Sequence, residues 1–305
     1  MVDGLIRLFA FVGRFGRWSL IAGLVAGVTL PELALVLKAM LPQMIFLLLL
    51  VSAFRIGPRA TLGERRDVAA SGLRVLIYQL AAPLLVLVVL LTLGLADTAV
   101  GIAIVLTLAA PSISGAPNFA IMMGCDPSRA MRLLILGTAV FPLTVIPVLL
   151  ALPAVSALSE VVDSAIKLFA VIAVAVAGGF ILRRGTPLTT EKAQALDGVA
   201  ALLLGVLVIG LMSALGPALK EDPLRLFGWL AFALGLNFGL QVLAYRADPV
   251  RDVGVAIVAG NRNIALFLVA LPPSLIDDLL LFIGCYQIPM YLTPLVMRRV
   301  MRSAA

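Results

Sequence analysis

The stretch VGVAIVAGNRNIALFLVAL, residues 253–271, is apolar at both ends and polar at its centre, where Gly260-Asn261-Arg262-Asn263 forms a knot. As a membrane-crossing helix it would place Arg262 near the bilayer midplane. An unpaired charge there costs roughly 3 kcal/mol or more, so an arginine at that depth needs a partner or a watery cavity and reads as functional by default. Whether this is a membrane helix at all is decided by the rest of the chain.

Hydrophobic residues make up 62% of the 305 residues and charged residues 13%. A soluble domain is about half apolar and a quarter charged. The formal net charge of +7 could point to nucleic acid or to a membrane surface. The basic residues lie in short segments between long apolar runs, which favours the lipid bilayer as partner and excludes nucleic acid. The two cysteines, Cys125 and Cys285, make no Cys-x-x-Cys, and no histidine occurs, so no zinc pattern is present. The first apolar run ends in Thr29-Leu30-Pro31 without a small-residue cleavage site, so no cleavable signal peptide is expected.

About 20 apolar residues cross a hydrocarbon core of about 30 Å. Ten such runs are expected, near 18–30, 33–53, 71–93, 98–123, 129–152, 160–182, 196–219, 224–245, 252–271 and 278–298. With the N-terminus inside, the cytoplasmic segments hold 18 of the 23 basic residues, from Arg7 through Arg59 and Arg74 to Arg302. The opposite side keeps Lys38, Lys167, Lys220 and Arg225. That asymmetry predicts a multi-pass protein of the cell (inner) membrane with both termini cytoplasmic.

Ten spans divide into two halves of five, near 1–152 and 153–305. An odd number per half inverts the second relative to the first, an arrangement that recurs in secondary transporters. The expected fold is an all-α polytopic membrane protein of two inverted five-helix repeats. The fourth span of each half is interrupted. In the first half the interruption is Ala110-Pro111-Ser112-Ile113-Ser114-Gly115-Ala116-Pro117-Asn118, and in the second it is the Arg262 knot. Each proline removes a backbone donor, and irregular backbone at this depth survives only when buried in protein or lining a cavity.

If the two breaks meet, Ser112, Ser114, Asn118, Gly260, Asn261, Arg262 and Asn263 form a candidate substrate or ion site. A plain proline kink in a packed helix is the competing reading. All 16 acidic residues fall in loops or at helix ends, so Arg262 has no carboxylate in the bilayer core. Its partner is a freed carbonyl, a bound anion or an anionic substrate, and these readings are compatible. Gln79, Thr138 and Asn237 lie deep in other spans and are either further site residues or interhelical hydrogen-bonding groups.

These features resemble the bile acid:sodium symporter family, and the resemblance runs over nearly the whole chain. It rests on Leu30-Pro31-Glu32-Leu33 and Leu41-Pro42, on Gln79 before Pro83, and on Ala110-Pro111 through Asn118. It continues through Asp126, Thr138, Pro142 and Asn237 to Gly260–Asn263 with Ala265-Leu266. The resemblance implies a panel domain of 1–70 with 153–222 and a core transport domain of 71–152 with 223–305. It also implies that the fourth and ninth helices break and cross, and that substrate is carried by alternating access.

The departures matter as much. Where relatives place a sodium-binding glutamate and glutamine around the ninth-helix break, this chain has Val258 and Arg262. Fifth-helix hydroxyls are replaced by Ala130 and Leu134, and the fourth-helix Ser-Asn pair becomes Pro117-Asn118. Most sodium ligands are thus missing, and no cofactor is expected. The leading reading is a secondary carrier of a small organic anion without sodium coupling. The alternatives are a sodium-coupled organic-acid symporter and a non-transporting sensor or channel. Catalysis is not expected: without histidine there is neither a zinc protease motif nor a Ser-His dyad, and Asp277-Asp278 reads as a solvated pair. Substrate identity and oligomeric state are not encoded in these patterns.

Overall fold

The computed structural model describes residues 2–57, 65–155, 158–186, 188–269, 271 and 273–302. Arg59, counted above among the cytoplasmic cations, lies outside them. The described residues are helical and contain no strand, only one isolated antiparallel bridge. The helices are α1 (Val2–Arg14), α2 (Gly16–Thr29), α3 (Pro31–Lys38), α4 (Leu41–Ile56) and α5 (Arg65–Leu76). A π-helical turn at Ile77–Ala81 leads into α6 (Ala82–Thr92), followed by α7 (Ala99–Ala109), α8 (Ala116–Met122), α9 (Ser128–Ala151) and α10 (Leu158–Gly185). Then come α11 (Thr190–Leu211), α12 (Leu215–Glu221), α13 (Pro223–Ala247) and α14 (Val253–Gly260), a 3-10 turn at Ile264–Val269, and α15 (Pro273–Arg302).

Among the described residues six helices are long and apolar enough to cross a membrane, or up to eight if each of two bent pairs is one span. The bends correct the sequence reading. The first span, expected near 18–30, coincides with α2, which α1 precedes at a bend of 77°. The run at 33–53 is not one rod either, because α3 and α4 meet at 72°. Pro42 lies in the first turn of α4 and cannot donate to the Lys38 carbonyl, so the helix restarts there. The fourth and ninth expected spans are short helices separated by extended backbone. Many large apolar side chains are exposed, including Leu85, Val88, Leu143, Ile166 and Ile181, as lipid-facing surface requires.

The chain separates into two units, Met1–Thr61 with Ala170–Gly228, and Leu62–Phe169 with Trp229–Ala305. The boundaries expected from the resemblance are 70/71, 152/153 and 222/223. Two of the structural boundaries fall inside the continuous helices α10 and α13 rather than in linkers.

In the first unit α11 packs against α1, α2, α3 and α4. Absent side chains allow this closeness. A Cβ on Gly198 would overlap the Phe9 carbonyl, and one on Gly23 would overlap the Gly205 carbonyl. Backbone approach of this kind substitutes dispersion for the hydrophobic drive that lipid cannot supply. Arg55 meets Asp197 through two hydrogen bonds of 2.9 and 3.3 Å.

In the second unit, polar residues tie helix ends together. Arg74 on α5 pairs with Asp248 after α13 at 3.1 Å. The other Asp248 oxygen accepts from the Asp252 backbone N–H at 2.9 Å, and Asp252 caps α14 by accepting from Val255 N–H at 3.0 Å. Arg129, at the start of α9, approaches Asp252 at 3.4 Å. The side chain of Asp248 is 3% exposed, so its pairing matters more than that of a surface carboxylate.

Replacing Gly198 by leucine should overpack the α1–α11 contact and cost roughly 1–3 kcal/mol. Gly4→Ala, where a Cβ meets nothing within 4 Å, should be silent. Thermal unfolding of the two purified variants checks both expectations.

Candidate functional site at the crossing of two interrupted helices

Helix α7 ends because Pro111 has no N–H and pushes Ala110 to extended dihedrals, φ −60° and ψ 148°. Helix α14 ends at Gly260, where any side chain would strike the Asn237 carbonyl and the Gln241 side chain. The extended backbone beyond each helix pairs with the other. Ile113 N–H donates to Asn261 O at 2.9 Å and Asn263 N–H donates to Pro111 O at 2.8 Å. These bonds flank the antiparallel bridge between Ser112 and Arg262. Each break therefore supplies backbone partners that lipid would deny the other.

Arg262 is 2% exposed. Its Nε donates to Ala259 O at 2.9 Å and its NH1 to Ala110 O at 3.0 Å. Ala259 lies in the last turn of α14, and Ala110 directly follows α7. The guanidinium thus sits where two helix C-termini converge, each carrying a partial charge of about −0.5. The Tyr78 ring covers it at 5.5 Å from ring centroid to guanidinium carbon. No salt bridge to Arg262 occurs among the described residues. Of the three partners that the sequence left open, the structure contains the freed carbonyls.

A buried hydrogen-bond network braces the second break. Gly260 O accepts from Asn237 Nδ2 at 2.7 Å and from the Tyr286 hydroxyl at 2.6 Å. Asn261 donates to Ile257 O at 2.9 Å, and its Oδ1 accepts from Thr293 at 3.1 Å. Gln241 Nε2 donates to Asn237 Oδ1 at 2.7 Å and to Thr293 Oγ1 at 3.0 Å. Gln241 Oε1 is buried without a partner among the described residues.

The structure brings Ser112, Gly260, Asn261, Arg262 and Asn237 together, with Asn263 joined through its backbone. The Ser112 hydroxyl donates to Ile113 O at 3.3 Å. Ser114 and Thr138 are half-buried. Asn118 lies on the exposed side of α8, with no hydrogen bond to the crossing among those of the described residues. Gln79 is 2% exposed and accepts from Thr144 at 3.4 Å, so it braces α9 and not the crossing. A Cβ on Gly137 would fall 2.5 Å from its Nε2. Asp126 is an exposed turn residue. Hydrogen bonds from the Ser128 hydroxyl and then its backbone N–H hold its carboxyl below the usual range.

Sequence reasoning missed Gln241, Tyr286 and Thr293 as partners of the break. Asn237 and Gln241 are four residues apart on α13, and Tyr286 and Thr293 seven apart on α15. Each spacing places a pair on one helix face, so both were detectable. Among the described residues no group of three or more His, Cys, Asp or Glu side chains could hold a metal ion. No model of a known family matches the chain, and no curated protein matches it.

Asn237→Leu should leave the Gly260 carbonyl with only Tyr286 and strip Gln241 of an acceptor, costing about 1–3 kcal/mol. Thr138→Val should stay within about 0.5 kcal/mol of wild type. Chemical denaturation of the detergent-solubilised variants measures the difference.

Proposed function

We propose that the protein is a secondary carrier that moves a small organic anion by alternating access, without a sodium ion at its helix crossing. The observation that supports this reading is the guanidinium of Arg262 held between the C-terminal carbonyls of two interrupted helices. Interrupted helices with converging polar ends form midplane sites in inverted-repeat carriers. The six continuous and two bent candidate spans reach the ten of that architecture if each interrupted segment, α7 with α8 and α14 with the following 3-10 turn, also crosses the membrane. Under this reading the chain resembles the bile acid:sodium symporter family, with the second unit as transport domain and the first as panel. It sits in the cell membrane with both termini in the cytoplasm.

A cation at the convergence of two helix C-termini is electrostatically favoured whatever its source. Here the chain itself supplies the cation, in the position where the resemblance puts a sodium ligand. Arginine suits the task because its planar fork reaches two carbonyls in fixed directions, which a lysine ammonium does not reproduce.

The test starts with a thermal-shift screen of organic anions on purified protein, because a ligand at 100 times its Kd raises apparent stability by about 2.7 kcal/mol. The best ligand is then followed into proteoliposomes. Saturable uptake, stimulated by unlabelled ligand inside and unchanged by a sodium gradient, is the expected result. Arg262→Ala should abolish uptake in protein that still purifies folded, and Arg262→Lys should retain part of it. Strong sodium dependence would reject the tethered-cation role. Non-saturable flux without countertransport stimulation would reject the carrier in favour of a pore, and wild-type rates in Arg262→Ala would remove the arginine from the mechanism.

A further inference from the structure

Arg262 is closed off in this conformation, so an anion can reach it only if something moves. Its Nε and NH1 are held by carbonyls of two different helices, which fixes the guanidinium in place. The Tyr78 ring that covers it at 5.5 Å is half-buried, one helical turn beyond the Arg74 that pairs with Asp248. Arg74 is 29% exposed and sits four residues before Tyr78. The ring therefore touches a sealed guanidinium and follows, by one helical turn, a partly open one.

The backbone under Tyr78 is also unusual. Pro83 has no N–H to give the Gln79 carbonyl, so the α-helical bond there cannot form. The chain widens into the π turn at Ile77–Ala81, closed by Ala82 N–H on Ile77 O. Turns of this kind occur frequently at functional sites. Each residue of an α-helix turns by about 100°, so the extra residue of the wide turn decides which side chain faces the crossing. From this turn Tyr78 lies against Arg262 and Gln79 bonds Thr144 of α9.

We propose that the Tyr78 ring is a movable cover over Arg262, set by the Pro83 turn, and that an anion entering past Arg74 reaches the guanidinium only when the ring swings aside. The proposal rests on the carrier reading for its ligand, a small organic anion. Tyr78 is on this account a positioning residue that controls access.

The test is designed to separate the two claims. Purified full-length protein is treated with phenylglyoxal, which modifies accessible arginines, and each site is quantified by peptide mass spectrometry. Arg7, with a side chain 79% exposed, serves as the internal reactive standard. In wild type and Tyr78→Phe, Arg262 should remain unmodified. In Tyr78→Ala it should react at least about tenfold faster, relative to Arg7. Pro83→Ala, which keeps the ring but relaxes the turn, should also expose Arg262 and provides the test if Tyr78→Ala does not fold. Continued protection of Arg262 in a folded variant of either kind would overturn the proposal, as would ready modification in wild type. In uptake assays Tyr78→Ala should lower KM about fivefold, the order of a cation–π contact, while Tyr78→Phe keeps the wild-type value. A purely structural role would reduce the amount of folded protein and leave KM unchanged. If no anion is transported but the modification pattern holds, the carrier reading falls and the cover stands.

Discussion

The second unit is organised around one guanidinium that closes two helices at once. Ending a helix inside a membrane leaves carbonyls without donors, and each such group costs several kcal/mol in hydrocarbon. Arg262 donates to one carbonyl from each of two helix ends, and the chain on both sides of it bonds to the other break. Burying a charge carries its own penalty, and no carboxylate among the described residues offsets it. Two converging helix dipoles and an aromatic face take that part. Remove the guanidinium and both helix ends lose a donor. Restore continuous helices and the guanidinium loses its acceptors. The charge and the breaks therefore support each other, while the backbone bonds between the breaks remain without the guanidinium.

This coupling explains where the rest of the polar inventory of the unit is spent. Asn237, Gln241, Tyr286 and Thr293 all converge on the Gly260–Asn261 segment from α13 and α15, and Gly260 lets α13 approach closely enough for those bonds. At the helix ends the Arg74–Asp248 pair, with Asp252 capping α14, holds the start of the half-helix whose other end Arg262 closes. The first unit is built differently. It holds together through glycine-mediated contacts of α11 with its neighbours. The second unit instead brings a guanidinium, a π turn and a half-buried ring into contact.

Much of this was legible before any coordinates. Apolar run length gave the helices, and Pro111 and the Gly260–Asn263 knot marked both breaks at the right residues. Arg262 could be singled out because a charge in hydrocarbon violates the local rule so strongly. Three things were not legible, each for a physical reason. The bends before Phe15 and Met40 depend on tertiary packing that hydropathy does not record, although Pro42 marks the second. The exposure of Asn118 depends on which way a seven-residue helix faces, which a span of that length does not fix by periodicity. The π turn at Ile77–Ala81 follows from Pro83, but a proline within a helix is compatible with a kink as well as with a widened turn. The contact between Tyr78 and Arg262 depends on that choice.

A tethered cation has an energetic consequence that a bound ion does not. Coupling to an ion gradient requires the ion to bind on one side and leave on the other. Arg262 can do neither, so in a carrier it would stabilise the crossing without drawing on a gradient. Among the described residues no carboxylate pairs with Arg262, which leaves no acid beside the guanidinium to carry a proton in its place. A carrier of this design would move its anion only down that anion's own electrochemical gradient or in exchange for another. Each 100 mV of inside-negative potential opposes entry of a monovalent anion by about 2.3 kcal/mol, a factor of about fifty in concentration. Net accumulation is then disfavoured, and the physics favours efflux or one-for-one exchange as the mode of such a carrier.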